Sequence, residues 1–466
     1  MSEAKRTGFG PMLELAAPIA VSSGGNALMG LVDTAVVGRA GAVPLAAAGL
    51  ANSIFIGWTI FGLGVLVGLD GLVSQSLGAG KPTRARELYW QGVWMSAVLA
   101  VVVTIPIVIT SLYLEAGGID HAVAVETRKY LFFRAFSIFP MFVFFTARSY
   151  LQSVKRTREL VEGVVVANVA NFVIDLWLVF GGAGVPPLGA AGAAISTSIC
   201  SVLQLGIACR GFGSIRVPER PRKAWSWDDI RAIARLGTPV GAHYFAEVGV
   251  FALAGFLAAR MGAVDMGAHT IALNIASVTF CFALGVSNAG SVTVGWAVGA
   301  RDTAEARRAG LRAFGVGALF MGTNALLLSL FSRAIASAMT DQQEVLEMTA
   351  KLLVVAGAFQ LSDGIQGVGA GVLRGAGDTM FTFVANLVGH YLIGLPITLM
   401  LGLWGHLGVR GIWWGLSAGL TVVAVSLFAR FWRLSSREIV PMDLERKAVP
   451  GAPVPALQQE VAGSSS

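Results

Sequence analysis

Charge is scarce in this chain. Of 466 residues only 13% are Asp, Glu, Lys or Arg, while 55% are hydrophobic, and the mean hydropathy is +0.70. Soluble domains carry about 25% charged residues, so this sequence cannot coat a water-facing surface. Cysteine is scarce too. Cys200, Cys209 and Cys281 sit in or at the ends of apolar runs without metal-ligand spacing, which excludes a disulfide framework or a thiolate metal site and leaves them as inert small hydrophobes. The five histidines are dispersed, and no HExxH occurs, which argues against a membrane-embedded zinc hydrolase.

What the chain does have is long apolar runs, such as QGVWMSAVLAVVVTIPIVITSLY over 91–113. About 20 such residues cross the hydrocarbon core as a helix. The runs do not alternate with period 2, so a β-barrel is excluded. Many of the 58 glycines lie inside these runs, where small residues let helices approach closely. The spacing predicts an all-α polytopic membrane protein with twelve spans: 12–37, 46–69, 89–113, 128–147, 160–180, 190–211, 238–259, 268–290, 310–331, 347–371, 381–402 and 410–432. Residues 1–11 form a short polar N-terminus with no cleavable leader expected. A polar linker covers 212–237, and the Pro-, Ala- and Gly-rich stretch 433–466 is expected to be a disordered tail.

Twelve spans put both termini on one side. When residues at span ends are counted with the loop they adjoin, that side holds 26 of the 34 Lys and Arg residues and the other side 6. The positive-inside rule then makes the termini cytoplasmic in a plasma (inner) membrane. The net charge of +7 is thereby a topological signal. The basic residues are scattered and lack interleaved aromatics, so no nucleic-acid partner is expected.

The halves repeat. Pro18 matches Pro239, and Arg39 with Gly41-Ala42-Val43 matches Arg260 with Gly262-Ala263-Val264, at an offset of 221. Leu151 and Thr157 match Leu373 and Thr379 at 222, and LGAAG (188–192) matches LGVRG (407–411) at 219. Six spans per repeat give parallel repeats related by a pseudo-twofold axis along the membrane normal. The expected architecture is an N-lobe over 12–211 and a C-lobe over 238–432, two six-helix bundles facing a V-shaped cleft.

Acids inside spans are costly and usually functional. Four stand out: Asp33 in span 1, Asp175 in span 5, Glu247 in span 7 and Asp363 in span 10. Each has polar companions on its own helical face. Asn168, Asn171 and Asp175 are spaced 3 and 4 apart, His243 and Glu247 lie one turn apart, and Gln360, Asp363 and Gln366 are spaced by 3. Asn274 and Ser277 share a face of span 8, and Arg134 is read as snorkelling to an interface. A carboxylate in such a place is neutralised by H⁺, by Na⁺ or by a cationic substrate, and this mutual exclusion is a physical basis for exchange.

Four stretches carry a family signature: LVDTAVVGRAG, SLGAGKP, AVDMGAHTIALNIAS and FQLSDGIQGVGAGVLRGAGDT. Together they resemble the multidrug and toxic compound extrusion (MATE) family over 12–432, and the span 7 glutamate with the span 10 aspartate is similar to its NorM-like branch. The resemblance implies a secondary antiporter that exports small organic cations, driven by entry of Na⁺ or H⁺, with no other cofactor. By the same resemblance Asp33, Asn171 and Asp175 belong to an N-lobe site, and Glu247 and Asp363 form a C-lobe cation site that could hold Na⁺. Phe359 stands where NorM-like proteins often have tyrosine, which removes one oxygen ligand. Asn168, His243, Asn274, Gln360 and Phe359 are the expected polar and aromatic lining. A monomer in the lipid bilayer is expected. The alternatives are a lipid-linked saccharide flippase of the same superfamily, which would favour basic residues in its cleft, and a membrane-embedded enzyme. Offset 221 sets Asn26 opposite Glu247 and Ala254 opposite Asp33, so the C-lobe site is expected to have no copy in the N-lobe.

Overall fold

In a hydrocarbon interior every backbone N–H and C=O must find its partner within the segment, and the helix is the local solution. The computed structural model describes residues 9–442 apart from Ala183, and these are helical almost throughout. The first half contains α1 (Phe9–Gly38), α2 (Ala42–Val67), α3 (Leu69–Gly78), α4 (Pro82–Leu112), α5 (His121–Ala135), α6 (Ile138–Ser153), α7 (Arg158–Phe180) and α8 (Ala190–Arg210). The second half contains α9 (Trp227–Met261), α10 (Ala263–Gly299), α11 (Thr303–Leu330), α12 (Ser332–Met339), α13 (Gln343–Ala376), α14 (Thr379–Leu387), α15 (Leu395–Leu399) and α16 (Val409–Leu434). Eleven stretches are long and apolar enough to cross a membrane, and α5 with α6, bent by 44°, makes the twelfth. The second span runs on from α2 into α3, and the eleventh is α14 and α15 with π-helical turns at Val388–Gly394 and Met400–Trp404. The lipid-facing side is legible on α4. Val101, Val102, Ile105, Ile109 and Leu112 are exposed there, while Leu99, Val103 and Ile107 pack inward.

The repeat is written in the backbone. Gly41 and Gly262 both take strongly positive φ, at 133° and 128°, immediately before a helix start. The same correspondence joins Gly80 to Arg301 (71° and 59°), Lys155 to Gly377 (60° and 90°) and Gly189 to Gly408 (54° and 60°). These pairs keep the offsets of 219 to 222 found in the sequence. Left-handed conformations are costly for residues with a Cβ, so Lys155 and Arg301 are held there by the turn geometry itself.

Three expectations shift. The linker is shorter than read, because α9 begins at Trp227 and carries the first turns of what composition marked as loop. The expected tail is ordered at its start. The Ile439 N–H donates to Thr303 Oγ1 at 3.2 Å, and the Met442 N–H donates to Gln75 Oε1 at 2.9 Å. Residues 1–8 and 443–466, and with them the disorder expected of the tail, lie outside the described residues. Arg134 does not snorkel. It lies 4.7 Å over the Phe55 ring, within electrostatic reach of Asp175.

The halves meet on the face that carries the start of α1 and the end of α16. A Cβ on Gly68 would fall 2.6 Å from Gly237 Cα, and one on Gly299 would fall 2.0 Å from the Gln75 carbonyl oxygen. Only backbone faces without side chains approach so closely. Around this seam Arg84 binds Asp229 through both guanidinium nitrogens, at 2.5 and 3.0 Å, and Trp296 Nε1 donates to the Ser153 carbonyl at 3.1 Å. Gln75 Nε2 donates to the Gly375 carbonyl at 2.9 Å. Asp70 and Arg374, both buried, form an ion pair at 3.6 Å that also engages Ser149 and Asn288. Among the described residues every hydrogen bond between the halves lies on this face. Toward the other face no hydrogen bond joins the halves among the described residues, and Leu28 and Leu31 of α1, Phe256 of α9 and Val278 of α10 are exposed.

Removing one member of a buried ion pair costs about 3–5 kcal/mol. Asp70→Leu is therefore expected to lower thermal stability of the purified protein and to raise labelling of a cysteine placed at Ser74 by an impermeant maleimide. Adding Arg374→Leu should recover part of both losses. Labelling that stays at the parent level in Asp70→Leu would show that the pair does not hold the seam.

Candidate functional site

Each half builds one polar cluster around two acids. In the first half α1, α7 and α8 converge. Asp33 is 8% exposed, and its Oδ2 accepts from Thr197 Oγ1 at 2.9 Å. Asn171 and Asp175 are 0% exposed on the inward face of α7. Asn171 Nδ2 donates to Ser196 Oγ at 3.1 Å and reaches Asp175 Oδ1 at 3.5 Å, while Ser196 Oγ donates to the Asn171 carbonyl at 3.2 Å. The carboxyls of Asp33 and Asp175 lie within hydrogen-bonding reach of each other. One oxygen of each, Asp33 Oδ1 and Asp175 Oδ2, has no protein donor. Two acceptors cannot bond without something between them, and a proton or a small cation supplies it. Tyr130 of α5 completes the surround, within electrostatic reach of both acids.

In the second half α9, α13 and the π-helical turn before α15 converge. His243 Nε2 lies 3.3 Å from Glu247 Oε2 and 3.3 Å from Gln366 Nε2. A neutral imidazole cannot serve both through one nitrogen. As N–H it donates to Glu247, and as a bare nitrogen it accepts from Gln366. A change of charge on α9 is thus felt on α13. Asp363 is buried and within electrostatic reach of Glu247. Tyr391 OH donates to the Ala246 carbonyl at 2.9 Å and fixes the π-helical turn beside Glu247.

The remaining predicted residues divide. Gln360, 0% exposed, donates through Nε2 to Thr279 Oγ1 at 2.6 Å and so ties α13 to α10. Phe359 is a core ring, edge-on to Trp413 at 5.1 Å and Phe251 at 6.0 Å. Asn168 donates back to the Val164 carbonyl of its own helix, and Asn274 lies on the exposed face of α10 outside both clusters. Asn26, the counterpart of Glu247, accepts from Gln204 Nε2 at 3.0 Å, so the N-lobe fills that position with a neutral amide pair. Sequence reasoning missed Thr197, Ser196, Tyr130, Asn386 and His390. Hydroxyls are ordinary in spans, but Asn386 and His390, one turn apart, carried the same signal as His243 and Glu247. The sequence GLSAG at 415–419 spells a nucleophile-elbow pattern, yet it lies in mid-helix and Ser417 Oγ donates to the Trp413 carbonyl at 2.7 Å, so no elbow exists there.

Two parallel six-span lobes, each with buried acids and meeting at one face, define a polytopic carrier of the transporter kind. The MatE family model matches this chain twice, over residues 18–177 and 239–400, at the offset of the internal repeat. The chain belongs to the MATE family. It is similar to the probable multidrug resistance protein NorM of Rhizobium meliloti (strain 1021), 31% identical over 92% of this chain and 94% of that protein. It is likewise similar to the multidrug resistance protein NorM of Burkholderia vietnamiensis, 32% identical over 90% and 92%. Among solved structures it matches the eukaryotic MATE transporter AtDTX14 with a TM-score of 0.79 at 20% identity, covering 91% of this chain and 96% of that one. It also matches the outward-facing conformation of a multidrug resistance MATE family transporter, with a TM-score of 0.81 at 19% identity over 91% and 95%.

Thr197→Val leaves Asp33 without its hydroxyl donor, a loss of about 1–3 kcal/mol. Thermal unfolding of the purified protein should register it. The same substitution in an Asp33→Leu background should cost less than about 0.5 kcal/mol, because the two residues are coupled. Equal costs in both backgrounds would show that the Asp33–Thr197 bond contributes nothing.

Proposed function

We propose that the protein is a cation-coupled antiporter that exports small organic cations by alternating access. The observation that carries this reading is the pair of acid clusters, one buried in each lobe, above a seam closed on one face only. An isolated carboxylate in a low-dielectric interior is costly until a proton, a metal cation or an organic cation neutralises it. Only one of these occupies a given acid at a time, so arrival of one favours departure of another, and the coupling is reciprocal. The loop charges favour cytoplasmic termini, which makes the closed seam cytoplasmic and the opposite face external. In that state the protein would release drug and take up its coupling ion. The names of the relatives, multidrug resistance proteins, support the substrate class. The flippase reading finds less support. The basic residues buried near the cleft floor, Arg148 and Arg374, sit at the seam beside Asp70 and would not be free to hold a diphosphate.

Glu247→Gln and Asp363→Asn are each expected to lower dye export from proteoliposomes at least about tenfold, a loss of about 1.4 kcal/mol of coupling. Unchanged drug tolerance in cells at matched expression would remove the C-lobe assignment. For the parent protein, pH and Na⁺ gradients are imposed one at a time. Export that responds to neither would remove the antiport reading.

A further inference from the structure

The linker between the lobes is strapped along α4. Arg86 lies over the Tyr150 and Phe212 rings at 4.6 and 4.5 Å and donates to the Ile215 carbonyl at 3.3 Å. The Arg222 N–H donates to Glu87 Oε1 at 3.1 Å. Gln91 is used twice. Its Nε2 donates to the Ala224 carbonyl at 2.8 Å, and its Oε1 accepts from the Ser226 N–H at 3.0 Å. Trp94 Nε1 donates to the Lys223 carbonyl at 2.9 Å. The strap thus climbs α4 from Arg86 to Trp94, about 12 Å at the helical rise.

Trp94 is where the surface of α4 changes. No residue of this helix before Trp94 is exposed. From Trp94 onward an exposed apolar stripe follows, through Val98, Val101, Val102 and Ile105. The strap therefore ends where lipid contact begins. Indole rings favour the boundary between headgroups and hydrocarbon, and four gather here. Trp225 is edge-on to Trp94 at 6.2 Å and to Trp227 at 5.0 Å, and Lys223 Nζ lies 4.8 Å over the Trp90 ring. Trp227 is 74% exposed. Beside these rings Arg216, Arg220, Arg222 and Lys223 are exposed, and among the described residues no acid forms an ion pair with any of them. Between 216 and 223 these four bases stand against one acid, Glu219. Of the other acids nearby, Glu87 and Asp229 face Arg84, and Asp228 is exposed. The repeat does not require such a patch, since offset 221 sets Leu311 and Gly315 opposite Trp90 and Trp94.

We propose that this strap is a binding site for the headgroup of an anionic phospholipid of the surrounding bilayer. Basic residues clustered beside a span are drawn to anionic headgroups, each adding to the attraction, and guanidinium groups match phosphate oxygens in pairs. A zwitterionic headgroup also carries a phosphate, but its own cation cancels the charge that Arg220, Arg222 and Lys223 answer. The indoles set the depth of the site, and the apolar stripe above Trp94 receives the acyl chains. Free phosphate matches the charge but gains nothing from the rings or the stripe. The strap is the covalent join between the lobes and leads into Asp229, which holds Arg84. A lipid bound there fastens the join to the first lobe.

The test titrates lipid into the purified full-length protein in a neutral detergent and follows thermal unfolding. Phosphatidylglycerol should raise the midpoint saturably. Phosphatidylcholine with the same acyl chains, and inorganic phosphate, should not. The rise should shrink as salt goes from about 0.05 to about 0.3 M, because screening shortens the reach of exposed charges. Arg220→Gln, Arg222→Gln and Lys223→Gln combined should increase the phosphatidylglycerol needed for half the rise at least about tenfold, the order expected for losing several basic residues at an anionic surface. The midpoint without added lipid checks folding. If the triple variant melts early, the double variant Arg220→Gln with Arg222→Gln carries the comparison. An unchanged titration in these variants overturns the proposal. An equal rise with phosphatidylcholine also overturns it, by reducing the effect to lipid packing. An equal rise with inorganic phosphate does so too, by making the strap a simple anion site.

Discussion

A carboxylate surrounded by hydrocarbon has almost no solvent to lean on, and each of the four acids of the two clusters must be answered by a neighbour or a ligand. Much of the polar architecture follows. Thr197 is aimed at Asp33, Asn171 at Asp175, and His243 at Glu247, so three of the four have a protein partner and retain capacity for another, while Asp363 is buried within electrostatic reach of Glu247. A site satisfied completely by the protein would have no use for an ion. A site with no protein partner would distort the helices that carry it. The partial satisfaction seen here keeps the acids in place and leaves them responsive.

The duplication supplies the frame, and departures from it supply the chemistry. Turns with left-handed residues recur at matching positions in the two halves, and the spans between them follow the same order. The acids do not recur. Glu247 has Asn26 as its counterpart, and that amide is spent on Gln204. The fourth span is bent by 44° while its counterpart α13 runs unbroken. The eleventh span carries π-helical turns that α7 lacks. The duplication thus keeps the turns that frame the two bundles and varies the helix interiors between them.

Much of this was legible in the sequence. Composition and run length gave the membrane class, the offset of 221 gave the two lobes, and the rarity of acids in apolar runs gave Asp33, Asp175, Glu247 and Asp363. These signals are strong because each is an exception to an overwhelming apolar background. Thr197 and Ser196 were invisible because hydroxyls occur throughout spans and usually bond to their own helix, as Ser198 and Ser201 partly do. Arg134 was misread because the ring it packs over, Phe55, comes from another helix, and no local residue announces that pairing. The exposure of Asn274 could not be told from burial, since the lipid side and the cleft side of a helix share the same periodicity. The seam was foreshadowed only by glycine abundance, and which glycines meet across it depends on long-range pairing.

The start of the tail has a consequence of its own. Met442 is wedged at the seam, its side chain against Gly71 of one half and Gly377 of the other, and its N–H is held by Gln75. The tail belongs by covalent connection to the second lobe but is anchored on the first. It spans the joint like a stitch, and the lobes cannot part at that face until the stitch is drawn. Whatever grips the chain beyond residue 442 therefore has a mechanical hold on the joint without touching either acid cluster.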